Sequence, residues 1–262
     1  MQKSQILQGE SWLRWTHEIR ACEFERMMEH VPLSRDATVL ELGCGDGFQL
    51  ELFRRRFARV FAIDPHCCPS KSEGFVFSLA EALPFPDHYF DLVSSCCVVE
   101  HLHDRARAVQ EAVRVLRPGG YMAHAVPAPF WKAASLLLNP VGYPLRVMEK
   151  WWAVQQTRRA APGPGDSDCG QSPPPGILQV LYRWFYPPVH GTYASHLDEF
   201  KAYTRRRWLE VFAHPELKRI AVIPLLSYSQ FGFLRFRFHG SRSWMARHGC
   251  ASSYAFLLRK AQ

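Results

Sequence analysis

An acid, a run of glycines and a second acid stand out as residues able to grip a polar ligand. Residues 39–47 read Val-Leu-Glu-Leu-Gly-Cys-Gly-Asp-Gly. β-Formers lead into Glu41, and Gly43, Gly45 and Gly47 follow at alternate positions. Glycine at the end of a strand permits a tight turn whose backbone approaches a ligand with no Cβ in the way. Val60-Phe61-Ala62-Ile63 is a second apolar run, closed by Asp64. A carboxylate at the tip of such a strand is placed to accept hydrogen bonds from both hydroxyls of a ribose. The pair points to a nucleotide-like ligand. The glycine spacing differs from the Gly-x-Gly-x-x-Gly of nicotinamide-binding chains.

These groups need a framework, and the chain alternates strand and helix signals as a doubly wound sheet does. Phe48 to Ala58 predicts a crossover helix between the first two strands. Phe75 to Phe77, Asp91 to Ser95 and Tyr121 to Val126 read as strands three to five. Arg105 to Arg117 reads as a helix, because Val109, Ala112, Val113 and Leu116 fall at i, i+3, i+4 and i+7. Pro118-Gly119-Gly120 should stop it. A helix is expected over Ser11 to His30, and another over His196 to Ala213, where Ser195 and Asp198 have capping-box spacing. Arg219 to Leu226 and Ser253 to Leu258 complete a seven-stranded, mostly parallel sheet.

Further motifs narrow the reading. Glu81-Ala82-Leu83-Pro84-Phe85-Pro86-Asp87 and Phe90-Asp91-Leu92-Val93 follow the second acid, then Glu100-His101-Leu102, then Leu116-Arg117-Pro118-Gly119-Gly120. In this order and spacing, from about Val39 to Val126, the chain resembles the class I S-adenosylmethionine-dependent methyltransferases, the broad group with small-molecule and lipid-methylating members. The resemblance implies a Rossmann-like methyltransferase fold and S-adenosyl-L-methionine as cofactor. It places Gly43, Cys44, Gly45 and Gly47 in the turn beneath the methionine part, and Glu41 at its amino group. It places Asp64 at the ribose, Ala80 and Glu81 beside adenine, and Ser95 and Cys96 near the sulfonium. The family usually carries an acid just before the position of Ala80. Leu79 stands there instead, so the adenine amine must be met differently.

The resemblance also suggests a base. His101 follows the fourth strand, near where the methyl group should project, and imidazole titrates near neutral pH. It is the expected catalytic residue for a hydroxyl acceptor, with a pocket-shaping loop histidine as the alternative. His190, Tyr193 and His196 form a second polar group that could touch the acceptor.

Composition bounds the rest. The 262 residues suit one α/β domain with additions. An N-terminal helical cap is expected at 1–37, a cofactor-binding core at 38–128, a substrate-lid insertion at 129–190 and the C-terminal half of the sheet at 191–262. The insertion is rich in apolar and aromatic residues, and its Pro/Gly-rich stretch from Ala160 to Gly176 predicts a mobile loop. No signal peptide or spanning segment is read, so the expected location is cytoplasmic, at most peripheral to a membrane. The eight cysteines show neither disulfide nor metal-ligand spacing, and no metal is expected. Residues 191–262 hold 12 Lys and Arg against 4 Asp and Glu, which accounts for the whole net charge of +8. Phe and Arg alternate within Phe231 to Arg247 (Phe233, Arg235, Phe236, Arg237, Phe238), as at a lipid interface, a nucleic-acid surface or a hairpin with one buried face.

The expected function is methyl transfer to a small or lipid-linked acceptor at oxygen, with possible contact to an anionic membrane. An RNA methyltransferase is the alternative suggested by the basic end, less favoured because no nucleic-acid-binding module accompanies it. A non-catalytic cofactor-fold binding module is the alternative suggested by Leu79.

Overall fold

The computed structural model describes residues 10–66, 73–160, 184, 186, 189–228 and 239–262. Among the described residues seven strands form one sheet: β1 (Thr38–Leu42), β2 (Arg59–Ile63), β3 (Phe75–Val76), β4 (Phe90–Cys96), β5 (Leu116–Pro127), β6 (Leu217–Pro224) and β7 (Ser253–Lys260). Their order is β3-β2-β1-β4-β5-β7-β6. The first five run parallel, and β7 lies antiparallel between β5 and β6. The chain order reverses between β1 and β4, and ligands of open α/β sheets bind outside the carboxyl ends of the strands at such a switch point.

Helices cover both faces. α1 (Glu10–Met28) and α2 (Phe48–Arg56) pack on one. There Phe24, Met27, Phe53 and Phe57 are buried with Val39, Leu92 and Leu257 from the sheet. α3 (Arg105–Val115) lies on the other face, with Val109, Ala112 and Val113 buried. Beyond β5 come α4 (Pro129–Ala160), α5 (His196–Ala202), α6 (Arg205–Val211) and, before β7, α7 (His239–Met245). Trp208 and Phe212 join the α3 face.

Several boundaries differ from the sequence reading for physical reasons. α3 ends at Val115 and β5 starts at Leu116, so Pro118-Gly119-Gly120 lies inside a strand. The strand absorbs it by a shift of register between Phe90 and Leu92. The helix expected over His196 to Ala213 is two helices parted at Tyr203 and Thr204. Ser195 caps the first through the Asp198 N–H, as its spacing predicted.

α4 carries Pro140 and Pro144 in its interior. Pro144 has no N–H to give the Pro140 carbonyl. The Trp184 indole N–H donates to that carbonyl instead at 2.6 Å, and Asn139 donates to the Trp184 carbonyl at 2.8 Å. The stretch expected as a lid begins with this helix. Residues 161–176 of the expected loop, most of the aromatic segment after it and residues 231–238 of the Phe–Arg alternation lie outside the described residues. After that alternation, His239–Met245 is helical, with no hairpin there. Among the described residues no helix is long and apolar enough to cross a membrane.

Candidate functional site

The turn after β1 is built as its glycines require. Gly43, Gly45 and Gly47 all have positive φ, at 69°, 53° and 85°. At Gly43 a Cβ would stand 2.5 Å from a methyl of Val98, so no other residue fits without moving the β4 side. The Gly43 and Cys44 N–H groups donate to the Ile63 carbonyl, tying the turn to the end of β2. Asp64 locks the same corner. One of its oxygens accepts from the Gly45 N–H at 3.0 Å and the other from the His66 N–H at 2.8 Å.

A cleft of about 340 Å³ opens against this corner. Gly43, Asp64, Leu79, Ala80, Glu81 and His101 line it, with Cys97 on the β4 side. Leu79 is half-exposed there, an apolar surface where the resemblance implied an acid. Glu41 lies behind the turn, 2% exposed, and its Oε2 has no hydrogen-bond partner. Burial, then Asp46 and Asp64, pushes its carboxyl from 4.5 up to about 8. An orphaned buried carboxyl and a turn with glycine at every second position fit a ligand that carries an ammonium group and a ribose.

α1 both packs on the sheet and touches the turn. His17 reaches Asp46 at 2.9 Å and stacks on Phe48 at 3.9 Å. Its Arg20 donates to the Cys96 and Cys97 sulfurs.

Two expected residues lie elsewhere. Ser95 is fully buried, with its hydroxyl 2.7 Å from His124 Nδ1 rather than in the cleft. His124 stacks on Phe212, and burial pushes its imidazole from 6.5 down to about 4. The Cys96 side chain meets Arg20 on the α1 side, and Cys97 takes the cleft position.

A second polar group adjoins the cleft at His101, which lies at the end of a short 3-10 turn, Val99–His101. The His101 ring meets the edge of the His190 ring at 4.6 Å. Partial desolvation at the cleft lowers the His101 pKa, which favours its neutral form. Gly191, with φ of +76°, lets the chain pass so close that a Cβ would lie 2.7 Å from the Glu100 carbonyl. That passage seats His190 over the turn. The Tyr193 hydroxyl is buried without a partner, and burial pushes its pKa up to about 12. His196 lies 3.8 Å from Glu199. Of the four residues singled out, His101 and His190 are in direct ring contact.

Sequence reasoning did not single out the charges beneath them. Glu100 and Glu199 are fully buried. Lys132, 3% exposed on α4, pairs with Glu199, which also accepts from the His190 N–H at 3.1 Å. A lysine in an apolar helical stretch was the available signal. Nothing local links it to Glu199.

Residues 40–124 match the family described as "Methyltransferase domain". Over that stretch the chain is similar to S-adenosylmethionine-dependent methyltransferases. It is 36% identical over 124 residues to a "Probable S-adenosylmethionine-dependent methyltransferase" of Mycolicibacterium smegmatis, covering 44% of this chain and 45% of that one. The chain thus spans less than half the length of that relative. A trans-aconitate 2-methyltransferase of an Azoarcus species is 27% identical over 207 residues, covering 72% of this chain and 77% of its own. The crystal structure of an S-adenosylmethionine-dependent methyltransferase from Mesorhizobium loti superposes with a TM-score of 0.54 at 15% identity, over 91% of this chain and 98% of that one. That likeness establishes the fold.

Proposed function

We propose that this methyltransferase moves a methyl group to the oxygen of a small or lipid-linked acceptor held between the cleft and the His101–His190 pair. The observation that carries the reading is His101 itself, which lines the cleft and also touches His190. When bound, S-adenosyl-L-methionine supplies an electrophilic methyl group.

The residues' own parts follow from their chemistry. Gly43, Cys44, Gly45 and Gly47 expose backbone to the methionine part, and Glu41 pairs with its ammonium. Asp64 receives the ribose hydroxyls. Leu79, Ala80 and Glu81 flank the adenine, with Leu79 packing on the ring and its amine left to backbone or water. Ser95 and Cys96 have no part in this reading. On the acceptor side, a neutral His101 nitrogen accepts the hydroxyl proton, an effect of about 10²–10⁴ for a well-placed base. His190, Tyr193 and His196 orient the acceptor, and holding it in line accounts for much of the rate.

The name of the Azoarcus relative supports a small acceptor. Lipid linkage is suggested by α4, where Leu137, Val141 and Met148 are exposed at 79%, 68% and 56% on one helical face. The basic end gives RNA less support, since Arg206 and Arg207 are both engaged by Glu210. The reading is tested by incubating the chain with labelled methyl donor and separate lipid, small-metabolite and RNA pools. Label in a small or lipid product, reduced at least tenfold in His101→Gln with cofactor binding intact, supports it. Label in RNA alone would replace it, and cofactor binding with no labelled product in any pool would favour the binding module.

A further inference from the structure

The group at Glu100 is electrostatically unbalanced. Its carboxylate is fully buried, and neither oxygen has a hydrogen-bond partner among the described residues. The buried ammonium of Lys132 is taken by Glu199. Arg105 approaches from the other side, but its guanidinium donates to the carbonyls of Val99 and Glu100 and to Thr192, and lies over the Tyr193 ring. A buried anion with no donor is costly, and such groups in folded proteins are paired or bind metals.

What faces Glu100 is a pair of imidazoles. One ligating atom each from Glu100, His101 and His190 lies within 4.8 Å of the others. His190 Nε2 is 3.9 Å from Glu100 Oε1. We infer that Glu100, His101 and His190 form a binding site for one divalent transition-metal cation of the zinc or cobalt class, at the acceptor end of the cleft.

Two neutral nitrogens and one carboxylate suit such an ion, and three protein ligands leave a position open for an oxygen of water or substrate. Magnesium demands oxygen ligands and is disfavoured here. Donors on one ion, with bonds of about 2.0–2.1 Å, can be no more than about 4 Å apart. The three groups must therefore draw together by roughly an ångström. His101 is exposed and the His190 side chain is 41% exposed, so both have room to turn, whereas Glu100 is the fixed anchor. The open position would take the acceptor's hydroxyl oxygen, and the bound ion, in place of a His101 nitrogen, would then favour loss of its proton. That role rests on the acceptor reading above, but the existence of the site does not.

The test uses the full chain without an affinity tag, stripped with chelator and free of methyl donor and acceptor. Co²⁺ is titrated and followed by its visible d–d bands, then displaced with Zn²⁺. One saturable equivalent is expected. Loss of an outer-shell partner typically costs about 10–100-fold in metal affinity, so loss of a ligand in Glu100→Gln or His190→Gln should cost at least about 100-fold. Cooperative thermal unfolding checks that each variant folds. If Glu100→Gln does not fold, the half-exposed His190→Gln decides. Three outcomes would overturn the inference: no saturable binding to wild type, unchanged binding in the folded variants, or a near-ultraviolet sulfur-to-metal band that assigns the ion to Cys96 and Cys97. Absence of methyl transfer with metal binding intact would instead count against the acceptor reading alone.

Discussion

Replacing Glu41 by Gln should stabilise the ligand-free protein, increasingly as pH rises from about 5 to about 8. Glu41 is buried behind the glycine turn with an unpartnered oxygen, and its carboxyl is pushed from 4.5 up to about 8 by burial, Asp46 and Asp64. Between those values the folded chain holds a proton that the unfolded chain has lost. Stability therefore falls as pH rises through the window and levels off above about 8. At about 1.36 kcal/mol per pH unit, the rise corresponds to roughly 5 kcal/mol at most. That is a large share of the ~5–15 kcal/mol that holds a domain folded. Gln has nearly the same shape and no proton to lose. The difference between variant and wild type should be near zero at about pH 5 and reach several kcal/mol by about pH 8.5. Urea unfolding at a series of pH values measures it, provided the slope with denaturant is unchanged. Parallel stability curves over that range would refute the reasoning. The same variant should bind S-adenosylhomocysteine more weakly, because the ligand's ammonium loses its anion. In wild type at about pH 7, binding should release a proton from Glu41, which calorimetry in buffers of different ionisation enthalpy detects.

Other expectations are equally direct. Gly43→Ala forces a Cβ against Val98 at 2.5 Å and strains a φ of 69°, so it should destabilise the protein by about 1–3 kcal/mol in thermal unfolding and abolish cofactor binding. His124→Gln should flatten the acid limb of the stability curve. The wild-type imidazole is held down to about 4 by burial, so wild type loses roughly 3 kcal/mol as pH falls from about 6.5 to about 4, and the variant should not. Leu137→Glu together with Val141→Glu should leave stability nearly unchanged, because both side chains are exposed, yet reduce binding to anionic vesicles in co-sedimentation.

The glycine turn, Asp64 and the crossover helix were legible because each is fixed by a few adjacent residues. The side-chain direction of Ser95 and Cys96 was not. β4 is buried on both faces, so apolar alternation carries no parity there, and its pairing with β5 decides that Ser95 meets His124. The start of β5 was misplaced because Pro118-Gly119-Gly120 stops a helix by local rules. Pairing of Leu116 with Phe90 had already claimed the chain for the sheet. α4 was hidden by Pro140 and Pro144, whose cost in hydrogen bonding is met by a distant tryptophan. The charges around His101 were illegible for the same reason. Lys132, Glu199 and His190 come from three elements, and only the folded chain brings them under Glu100.

The central claim is that the corner between Gly43 and Asp64 holds the methyl donor. Calorimetric titration with S-adenosylhomocysteine, on wild type and on Asp64→Asn, tests it most directly. The account predicts micromolar, one-to-one binding to wild type that is lost or severely weakened in a folded variant. Absence of binding to folded wild type, or equal binding by the two proteins, would contradict it.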